Sequence, residues 1–410
     1  MINYLWGGMF LISILIAFFQ LIFNQNYEIF NQLTAAVFKN AQTAVDISIS
    51  LIGILTFWSG ILKLIEANGI ADRIAKKLAP LFNVIMNDVP KNSPAISAMV
   101  LNMSANFLGL DNAATPVGLK AMTELQKYNK KKDEASDAQI LFMMLNSSAI
   151  TLIPITIFMY RSQMGAVRPT DVFIPILLAT SVSILTGFLL VAFKQHIQLT
   201  HPILLKWLGG LILLIFTLSC GFYFTSPENR MLFSSSFGNI ILITLLGYII
   251  FCSVRKKLNC YEIFVEGAKD GFGIAIQILP YLLAMLVAIG LFRACGILDF
   301  IADGIKYIFS LMHLNSDFAD ALPTAFMKPL SGSGARAMMI ETMQTFGADS
   351  FPAFTASVIQ GSTETTFYVL TVYFGAINIY KTRYALKYAL CADLAGIIAA
   401  IVFSYMFYNN

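Results

Sequence analysis

The feature that most constrains this chain is a series of apolar runs, each long enough to cross a lipid bilayer. A helix rises about 1.5 Å per residue and the hydrocarbon core is about 30 Å thick, so about 20 apolar residues span it. We interpret nine runs as membrane-spanning helices: 5–23, 45–66, 139–160, 172–194, 204–224, 236–253, 272–294, 352–375 and 388–408. Because the runs are continuous rather than alternating, an outer-membrane barrel is excluded. The expected fold class is an all-α polytopic membrane protein.

The composition excludes several other classes of protein. Hydrophobic residues make up 57% of the 410 positions and charged residues only 12%, whereas soluble domains carry about 25% charged residues. The net charge of +4 is too small and too dispersed for a nucleic-acid partner. The five cysteines form no CxxC pair and the three histidines lack metal-ligand spacing. No catalytic triad is visible either. We therefore expect no enzyme activity, no metal and no cofactor.

Two further apolar stretches, 91–127 and 317–345, are interrupted by Gly, Pro and polar residues. A helix over 92–106 is only about 22 Å long, so it stops short of crossing the bilayer. It is followed by the breakers of the segment FLGLDNAATP, and basic residues flank the whole stretch on both sides. The pattern predicts a helical hairpin that enters the membrane and returns. The second stretch predicts another such re-entrant hairpin.

The distribution of basic residues predicts the orientation of the chain. With nine spans, two returning hairpins and the N-terminus inside, most of the 27 basic residues lie on the cytoplasmic side, as the positive-inside rule requires. The runs Lys130–Lys132 and Arg255–Lys257 are then both in cytoplasmic loops. We expect a multi-pass protein of a bacterial inner (cytoplasmic) membrane with a cytoplasmic N-terminus.

The two halves of the chain repeat several features in the same order. The tetrapeptide YEIF occurs at 27–30 and at 261–264, and both hairpins precede a span with a polar centre. Amphipathic stretches at 69–87 and 296–312 also correspond and are expected to lie along the membrane surface. Five spans separate equivalent points; because five is odd, the second copy is predicted to be inverted, which is a transporter architecture. This predicts repeats at 1–195 and 230–410, joined by a connecting span within 196–229.

Specific polar motifs in each half resemble known sequences. Residues 1–195 resemble spore maturation protein A, through DVPKNSPAISAMVLNMSANFLGLDNAATPVGLKAMTELQ and LNSSAITLIP. Residues 230–410 resemble spore maturation protein B, through KPLSGSGARAMM and QGSTETTFYVLTVYFG. The chain resembles a fusion of the two, within the nucleoside-recognition (Gate) group that includes concentrative nucleoside transporters and ferrous-iron transporters. It lacks the phosphate-binding loop of the iron transporters. The resemblance implies a nucleoside-transporter-like fold.

Polar residues at the hairpin tips and in the middle of two spans are the candidate substrate-binding residues. Short helices that end in lipid leave free N–H and C=O groups, so the tips must face protein, water or a solute. The alternative is that the two tips only pack against each other. Six consecutive polar or Gly positions from 360 to 365 also predict an unwound helix. The candidates are Asn102, Ser104, Asn106, Asp111, Asn112, Asn146, Ser147, Ser148, Thr151, Ser331, Ser333, Arg336, Gln360, Ser362, Thr363, Glu364 and Thr365.

Two carboxylates within predicted spans, Glu364 and Asp393, are candidates for ion coupling. A charged carboxylate in lipid is costly, so it titrates, pairs with a cation or binds an ion. Arg336 on the second hairpin is the expected partner of Glu364. One interpretation is a structural ion pair, and the other is proton or sodium coupling.

These residues favour a transporter that moves a small polar solute by alternating access. A nucleoside-like solute follows from the resemblance, and a carboxylate-bearing solute suits Arg336 and the free helix ends. The expected partners are the lipid bilayer, the solute, and a proton or sodium ion; a homo-oligomer is compatible with the sequence. The alternative is a non-transporting membrane assembly or regulatory protein of the spore maturation type.

Overall fold

A computed structural model describes residues 2–86, 88–108, 111–148, 154–312 and 315–408. Within these ranges the chain is α-helical and contains no β-strand, only one isolated bridge between Glu134 and Lys381. The helices are α1 Ile2–Phe23, α2 Ile29–Ala67, α3 Ile70–Ile85, α4 Pro94–Phe107, α5 Asp111–Tyr128, α6 Asp137–Ser147, α7 Ile155–Gln163, α8 Phe173–Lys194, α9 Pro202–Phe224, α10 Arg230–Arg255, α11 Cys260–Ala294, α12 Ile297–Leu311, α13 Leu322–Met327, α14 Gly332–Phe346, α15 Phe351–Ser362, α16 Thr366–Gly375 and α17 Ala385–Phe407. The all-α polytopic fold class predicted from the sequence is confirmed.

Seven of the described helices are long and apolar enough to cross a membrane: α1, α2, α8, α9, α10, α11 and α17. The other two predicted spans, 139–160 and 352–375, are each divided into two shorter helices. The first consists of α6 and α7, and the second of α15 and α16. In the second, the non-helical part is only 363–365, narrower than the unwound segment predicted at 360–365. Nine apolar runs therefore give seven continuous helices among the described residues, and polar side chains lie at the ends of α6 and α15.

Two of the continuous helices are much longer than predicted. Helix α2 has 39 residues and α11 has 35, which corresponds to about 58 Å and about 52 Å of helix. Both exceed the hydrocarbon thickness of about 30 Å. The additional turns lie before the predicted spans 45–66 and 272–294, where polar side chains interrupt the apolar run but do not stop the helix.

The helices α2 and α11 pack side by side in opposite directions. Gly60 of α2 lies against Phe264 of α11, and Asn40 of α2 lies against Gly290. Residues later in α2 therefore contact residues earlier in α11, as expected for antiparallel helices. The absence of a side chain at Gly60 and Gly290 is what allows the two backbones to come so close.

The helices α8 and α17 form a second antiparallel pair. Gly187 of α8 contacts Ala392 of α17, and Gly396 of α17 contacts Ser183 of α8. Each pair joins corresponding elements of the two halves, because α2 and α11 precede the two hairpins and α8 and α17 follow the two divided helices. The order of elements from α1 to α8 thus recurs from α10 to α17, with α9 between them.

The two amphipathic helices begin in the same way. Helices α3 and α12 each follow a glycine with a positive φ angle, 66° at Gly69 and 83° at Gly296. A side chain would be strained in this left-handed conformation. The glycine lets the chain leave the long helix before it and turn sharply into the amphipathic helix.

One end of the bundle, here called the basic end, consists of loops 129–136, 195–201 and 376–384. Lys381 forms an ion pair of 2.8 Å with Asp133, and Arg383 one of 2.7 Å with Asp137. The side chain of Gln195 donates to the Asp137 carbonyl oxygen at 2.7 Å. Exposed lysines at 130–132 lie on the same loops.

At the opposite end, loops 164–172 and 347–350 meet the last residues of α17. The side chain of Arg161 is fully buried, pairs with Asp171 at 2.9 Å and donates to the carbonyl oxygen of Ala348 at 3.2 Å. The hydroxyl of Tyr408 donates to the carbonyl oxygen of Asp349 at 2.8 Å. The chain between α6 and α17 therefore runs repeatedly from one end to the other.

Two helical hairpins reach into the bundle from these ends. Helices α4 and α5 are antiparallel, with Asn102 opposite Ala114, and both open ends lie near the basic end. Helices α13 and α14 begin and finish near the opposite end: the backbone N–H of Phe318, in the short turn 317–321, donates to the Tyr405 hydroxyl of α17, and Ala348 after α14 accepts from Arg161. Described residues of both hairpins, among them Asn106 and Ser331, line one cavity next to the divided helices.

Candidate functional site

A cavity of about 840 Å³ lies where the two hairpins meet the divided helices. Its walls come from α4, α5 and α6 of the first half and from α14, the residues just before it, the 363–365 break and α16 of the second half. The lining residues are Asn106, Ala114, Thr115, Asn146, Leu330, Ser331, Gly332, Ser333, Arg336, Glu364, Thr365, Phe367, Tyr368, Val369, Thr371 and Tyr373. The volume is within the range of about 300–1,000 Å³ typical of sites for small ligands.

A network of hydrogen bonds forms one wall of this cavity. The side-chain oxygen of Asn146 accepts from the Asn106 amide at 2.8 Å and from the Tyr373 hydroxyl at 3.0 Å. The amide of Asn102 donates to the Ala114 carbonyl oxygen at 2.8 Å and to the Tyr373 hydroxyl at 3.3 Å. The network therefore connects the first hairpin, the end of α6 and α16 of the other half.

The tip of the second hairpin forms another wall. The hydroxyl of Ser331 accepts from the backbone N–H of Gly334 at 3.1 Å and thereby caps α14. It also lies 3.2 Å from the hydroxyl of Ser333. The first N–H groups of α14 give this end of the helix a partial positive charge, which favours a negatively charged or carbonyl-bearing group in the cavity.

Arg336, one turn further along α14, stands between two cavities. It lines the main cavity and a smaller one of about 230 Å³ bounded by Tyr160 of α7 and by Tyr281 and its neighbours on α11. The guanidinium carbon lies 5.6 Å from the centre of the Tyr160 ring, a distance at which the ring attracts a cation. Arg336 therefore places a positive charge at the wall of the main cavity while its guanidinium stays in contact with the Tyr160 ring.

The 363–365 break exposes main-chain groups that a continuous helix would hide. The backbone N–H of Glu364 donates to the Ser147 carbonyl oxygen at 2.9 Å, and that of Phe367 donates to the Pro329 carbonyl oxygen at 3.0 Å. The hydroxyl of Thr180 donates to the carbonyl oxygen of Gly361 at 3.1 Å. These contacts hold the break open against its neighbours.

The expected ion pair between Glu364 and Arg336 is not made in the described structure. Both side chains line the cavity, but the ion pairs of the described residues do not include them, and Arg336 lies over Tyr160 instead. The cavity therefore presents separate acidic and basic groups. The prediction failed because the hairpin places Arg336 on the side facing α7.

The structure brings together part of the predicted site. Seven candidates line the cavity: Asn106, Asn146, Ser331, Ser333, Arg336, Glu364 and Thr365. Seven others are buried behind its wall: Asn102, Ser104, Ser147, Ser148, Gln360, Ser362 and Thr363. The side chains of Asp111 and Asn112, and the whole of Thr151, lie outside the described residues. Asp393 is buried on α17 and does not line the cavity.

Sequence reasoning missed the aromatic side of the cavity, above all Tyr373. Its ring stacks on Phe142 at 5.6 Å between centroids, and its hydroxyl reaches Asn146. A Cβ on Gly118 would strike that hydroxyl, so glycine at this position makes room for it. The only signal in the sequence was that Tyr373 follows the polar segment 360–365 on the same predicted span, 352–375.

Comparison with known proteins agrees with this architecture. A family model described as nucleoside recognition (Gate) matches the chain twice, at 48–163 and at 275–380, together more than half of its length. Each match contains one hairpin and both helices of the divided span that follows it. The family model therefore matches once in each half of the chain, in agreement with the repeated features seen in the sequence.

Two proteins from Bacillus subtilis (strain 168) are each similar to part of the chain. Spore maturation protein B is 47% identical over 163 residues, which is 40% of this chain and 89% of the relative. Spore maturation protein A is 37% identical over 183 residues, which is 45% of this chain and 90% of the relative. No solved structure matches the chain. The resemblance predicted from the motifs is confirmed, and the chain belongs to the nucleoside-recognition (Gate) family, together with spore maturation proteins A and B.

Proposed function

We propose that the protein moves a small polar solute across the membrane by alternating access. The observation that carries this proposal is the cavity of about 840 Å³ at the meeting point of both hairpins and both divided helices. A structural scaffold does not require a polar space of this size, whereas a binding site for a small ligand does. Polar groups from both halves also line it, as in transporters whose substrate lies between two repeats.

The transport mechanism we propose uses two inverted repeats. The antiparallel pairing of α2 with α11 and of α8 with α17 supports inversion, because corresponding elements run in opposite directions. The two hairpins, which we propose to be re-entrant, begin at opposite ends of the bundle. Each half would then open the cavity towards its own side of the membrane. The repeats at 1–195 and 230–410 and the connecting span in 196–229 are part of this proposal.

We place the basic end in the cytoplasm of a bacterial cell. Loops 129–136 and 376–384 carry the lysines and arginines of that end, and cytoplasmic loops are enriched in such residues. In this proposal the end of α2, where Asn68 accepts from Lys256, is cytoplasmic. Helix α1 would then cross in the opposite direction to α2, and the N-terminus would lie on the cytoplasmic side of the inner membrane. The bacterial origin of both relatives supports the choice of membrane.

The lining of the cavity suits two classes of solute. A nucleoside-like solute fits the description of the family model and would use the Asn106–Asn146–Tyr373 network for hydrogen bonds. A carboxylate-bearing solute would use Arg336 and the first N–H groups of α14. Neither class requires a cofactor or covalent chemistry.

The names of the two relatives favour a second candidate function. Both are called spore maturation proteins, which suggests a membrane assembly or regulatory protein that retains the fold without moving a solute. Under that alternative the cavity lining would tolerate substitution as long as the fold is kept.

Uptake by proteoliposomes distinguishes these proposals. The purified full-length protein would be tested with radiolabelled nucleosides and small carboxylates, in the wild type and in Arg336→Gln. Arg168→Gln, at an exposed position of loop 164–172, is the matched control. We expect uptake of one class, and if this is the carboxylate class, its loss in Arg336→Gln only. Absence of uptake for every solute in well-folded protein would favour the assembly function.

A further inference from the structure

A second group of polar side chains is buried behind the cavity, where α17 passes the 363–365 break. We propose that this group is a binding site for one monovalent cation such as Na⁺, formed by the carboxylate of Asp393 and the hydroxyls of Thr363, Thr366 and Ser183. All are oxygen donors, the type of ligand that hard cations prefer. The site is distinct from the solute cavity, because Asp393, Thr363, Thr366 and Ser183 do not line it.

The strongest evidence is that these buried oxygens have too few protein partners. Asp393 is 2% exposed and Thr366 and Ser183 are fully buried. The hydroxyls of Thr363 and Ser183 have no hydrogen-bond partner, and the Asp393 carboxylate and the Thr366 hydroxyl have none apart from each other. Buried polar atoms are nearly always partnered, so a concentration of oxygens with too few partners indicates a ligand that takes several of them at once.

The packing of α17 brings these groups close together. A Cβ built on Gly396 would lie 2.7 Å from Cγ2 of Thr363 and 3.3 Å from the hydroxyl oxygen of Ser183. Asp393 precedes Gly396 by three residues and so lies on the same face of α17. The hydroxyl of Thr366 faces the Asp393 carboxylate. Three helices and the break therefore contribute to one small volume.

The end of α15 adds a favourable field. This helix stops at Ser362, and its last turn leaves carbonyl groups without helical partners. The C-terminal end of a helix carries a partial negative charge, which stabilises a nearby cation. Discontinuous helices in membrane transporters use such ends to hold cations.

The charges around Asp393 favour a monovalent rather than a divalent cation. Glu364 of the break and Lys328 of the second hairpin both act on the Asp393 carboxylate. One ammonium and two carboxylates have a formal charge of −1. A single positive charge neutralises the group, whereas a divalent cation would leave an excess charge in a low-dielectric region.

The 363–365 break joins this site to the cavity. Glu364 and Thr365 line the cavity, while the neighbouring Thr363 and Thr366 belong to the cation site. Binding of a cation would fix the conformation of the break and therefore the position of Glu364. The cation site does not depend on transport, so it can be tested in protein that is not moving any solute.

The test is the melting temperature of the purified full-length protein in detergent, titrated with NaCl at constant ionic strength against choline chloride, with KCl in parallel. We expect Tm to rise by about 1–2 °C for each tenfold increase in Na⁺ above its dissociation constant. The rise should disappear in Asp393→Asn and weaken in Thr366→Val, which keeps the shape of the side chain. Asp270→Asn, at an exposed position of α11, should respond like the wild type.

Three results would overturn the cation site. One is a wild-type Tm that is independent of Na⁺ from pH 6 to 8. Another is an equal effect of Na⁺, K⁺ and choline, which would indicate general ionic strength. The third is a full Na⁺ effect in Thr366→Val and in Asp393→Asn. If Asp393→Asn does not fold, Thr366→Val and Ser183→Ala decide the question. Loss of solute uptake with an intact Na⁺ effect would contradict only the proposed function.

Discussion

The backbone N–H of Glu364 donates a hydrogen bond of 2.9 Å to the carbonyl oxygen of Ser147. Ser147 is the last residue of α6, and Glu364 is the middle residue of the break between α15 and α16. The interruptions of the two divided helices therefore supply each other with a main-chain partner. Because the bond uses main-chain atoms, it can persist when the side chain of Glu364 is changed.

Glu364→Gln should insert and fold normally but move solute poorly. The substitution keeps the shape of the side chain and the main-chain bond to Ser147 but removes the charge from the cavity. Loss of an interaction with a charged group corresponds to roughly a ten- to hundredfold reduction in uptake. Uptake by proteoliposomes measures it, with the exposed Glu262→Gln as control. Wild-type uptake in Glu364→Gln would show that the carboxylate has no part in transport.

Arg336→Gln and Glu364→Gln should act independently on the free energy of unfolding. No ion pair joins the two side chains in the described structure, and the Arg336 guanidinium lies against Tyr160. Effects of residues that do not interact usually add within about 0.5 kcal/mol. Chemical denaturation of both single variants and the double variant measures this. A larger coupling would indicate that the two charges meet in another conformation.

Gly118→Ala should destabilise the protein by about 1–3 kcal/mol, the usual cost of overpacking. The added methyl group would collide with the hydroxyl of Tyr373 and come within 2.9 Å of the Asn102 amide nitrogen. Both side chains belong to the network that forms the cavity wall. Gly247→Ala is the control, since nothing lies within 4 Å of a Cβ at that position. An unchanged melting temperature in Gly118→Ala would mean that Tyr373 moves away easily.

Cysteine labelling in intact cells should place the two ends of the bundle on opposite sides of the membrane. In a background without the five native cysteines, positions 131 and 256 should be protected from an impermeant maleimide. Position 168, in loop 164–172, should be labelled. Permeabilised cells serve as the control for reactivity. Labelling of position 131 from outside would reject the proposed orientation.

The contribution of Asp171 to the stability of the folded protein should fall as the pH rises from about 4 to about 6. Burial raises the pKa of Asp171 from 3.8 to about 6, although Arg161 lowers it. Between these values the folded state binds more protons than the unfolded state, so rising pH favours unfolding, by up to about 3 kcal/mol. Above pH 6 this contribution no longer changes.

Asp171→Asn should remove that pH dependence, because amide groups do not titrate. Thermal unfolding in detergent at several pH values measures the effect. Asp349→Asn is the matched control, since this carboxylate lies on the same cluster but is 41% exposed. A slope between pH 4 and 6 that is the same in Asp171→Asn as in the wild type would assign it to another group.

Local patterns in the sequence determined the helices of this protein. Runs of apolar residues predicted the spans, because a bilayer allows few other solutions. Gly69 and Gly296 marked the starts of the amphipathic helices, and the polar segment at 360–365 marked the interrupted helix. Each of these features depends on neighbours along the chain. The extra turns of α2 and α11 escaped prediction because polar residues end an apolar run without ending a helix.

Tertiary structure alone decided which polar groups share the cavity. Asn146 meets Tyr373 across 227 positions of sequence, and Arg336 lies against Tyr160 rather than beside Glu364. Candidates that looked alike in sequence separated into the cavity wall and the layer behind it. The periodicity of a helix tells which residues share a face, but the neighbours of that face are set by the packing of distant helices. That packing also gathers Asp393, Thr366 and Ser183 around one point.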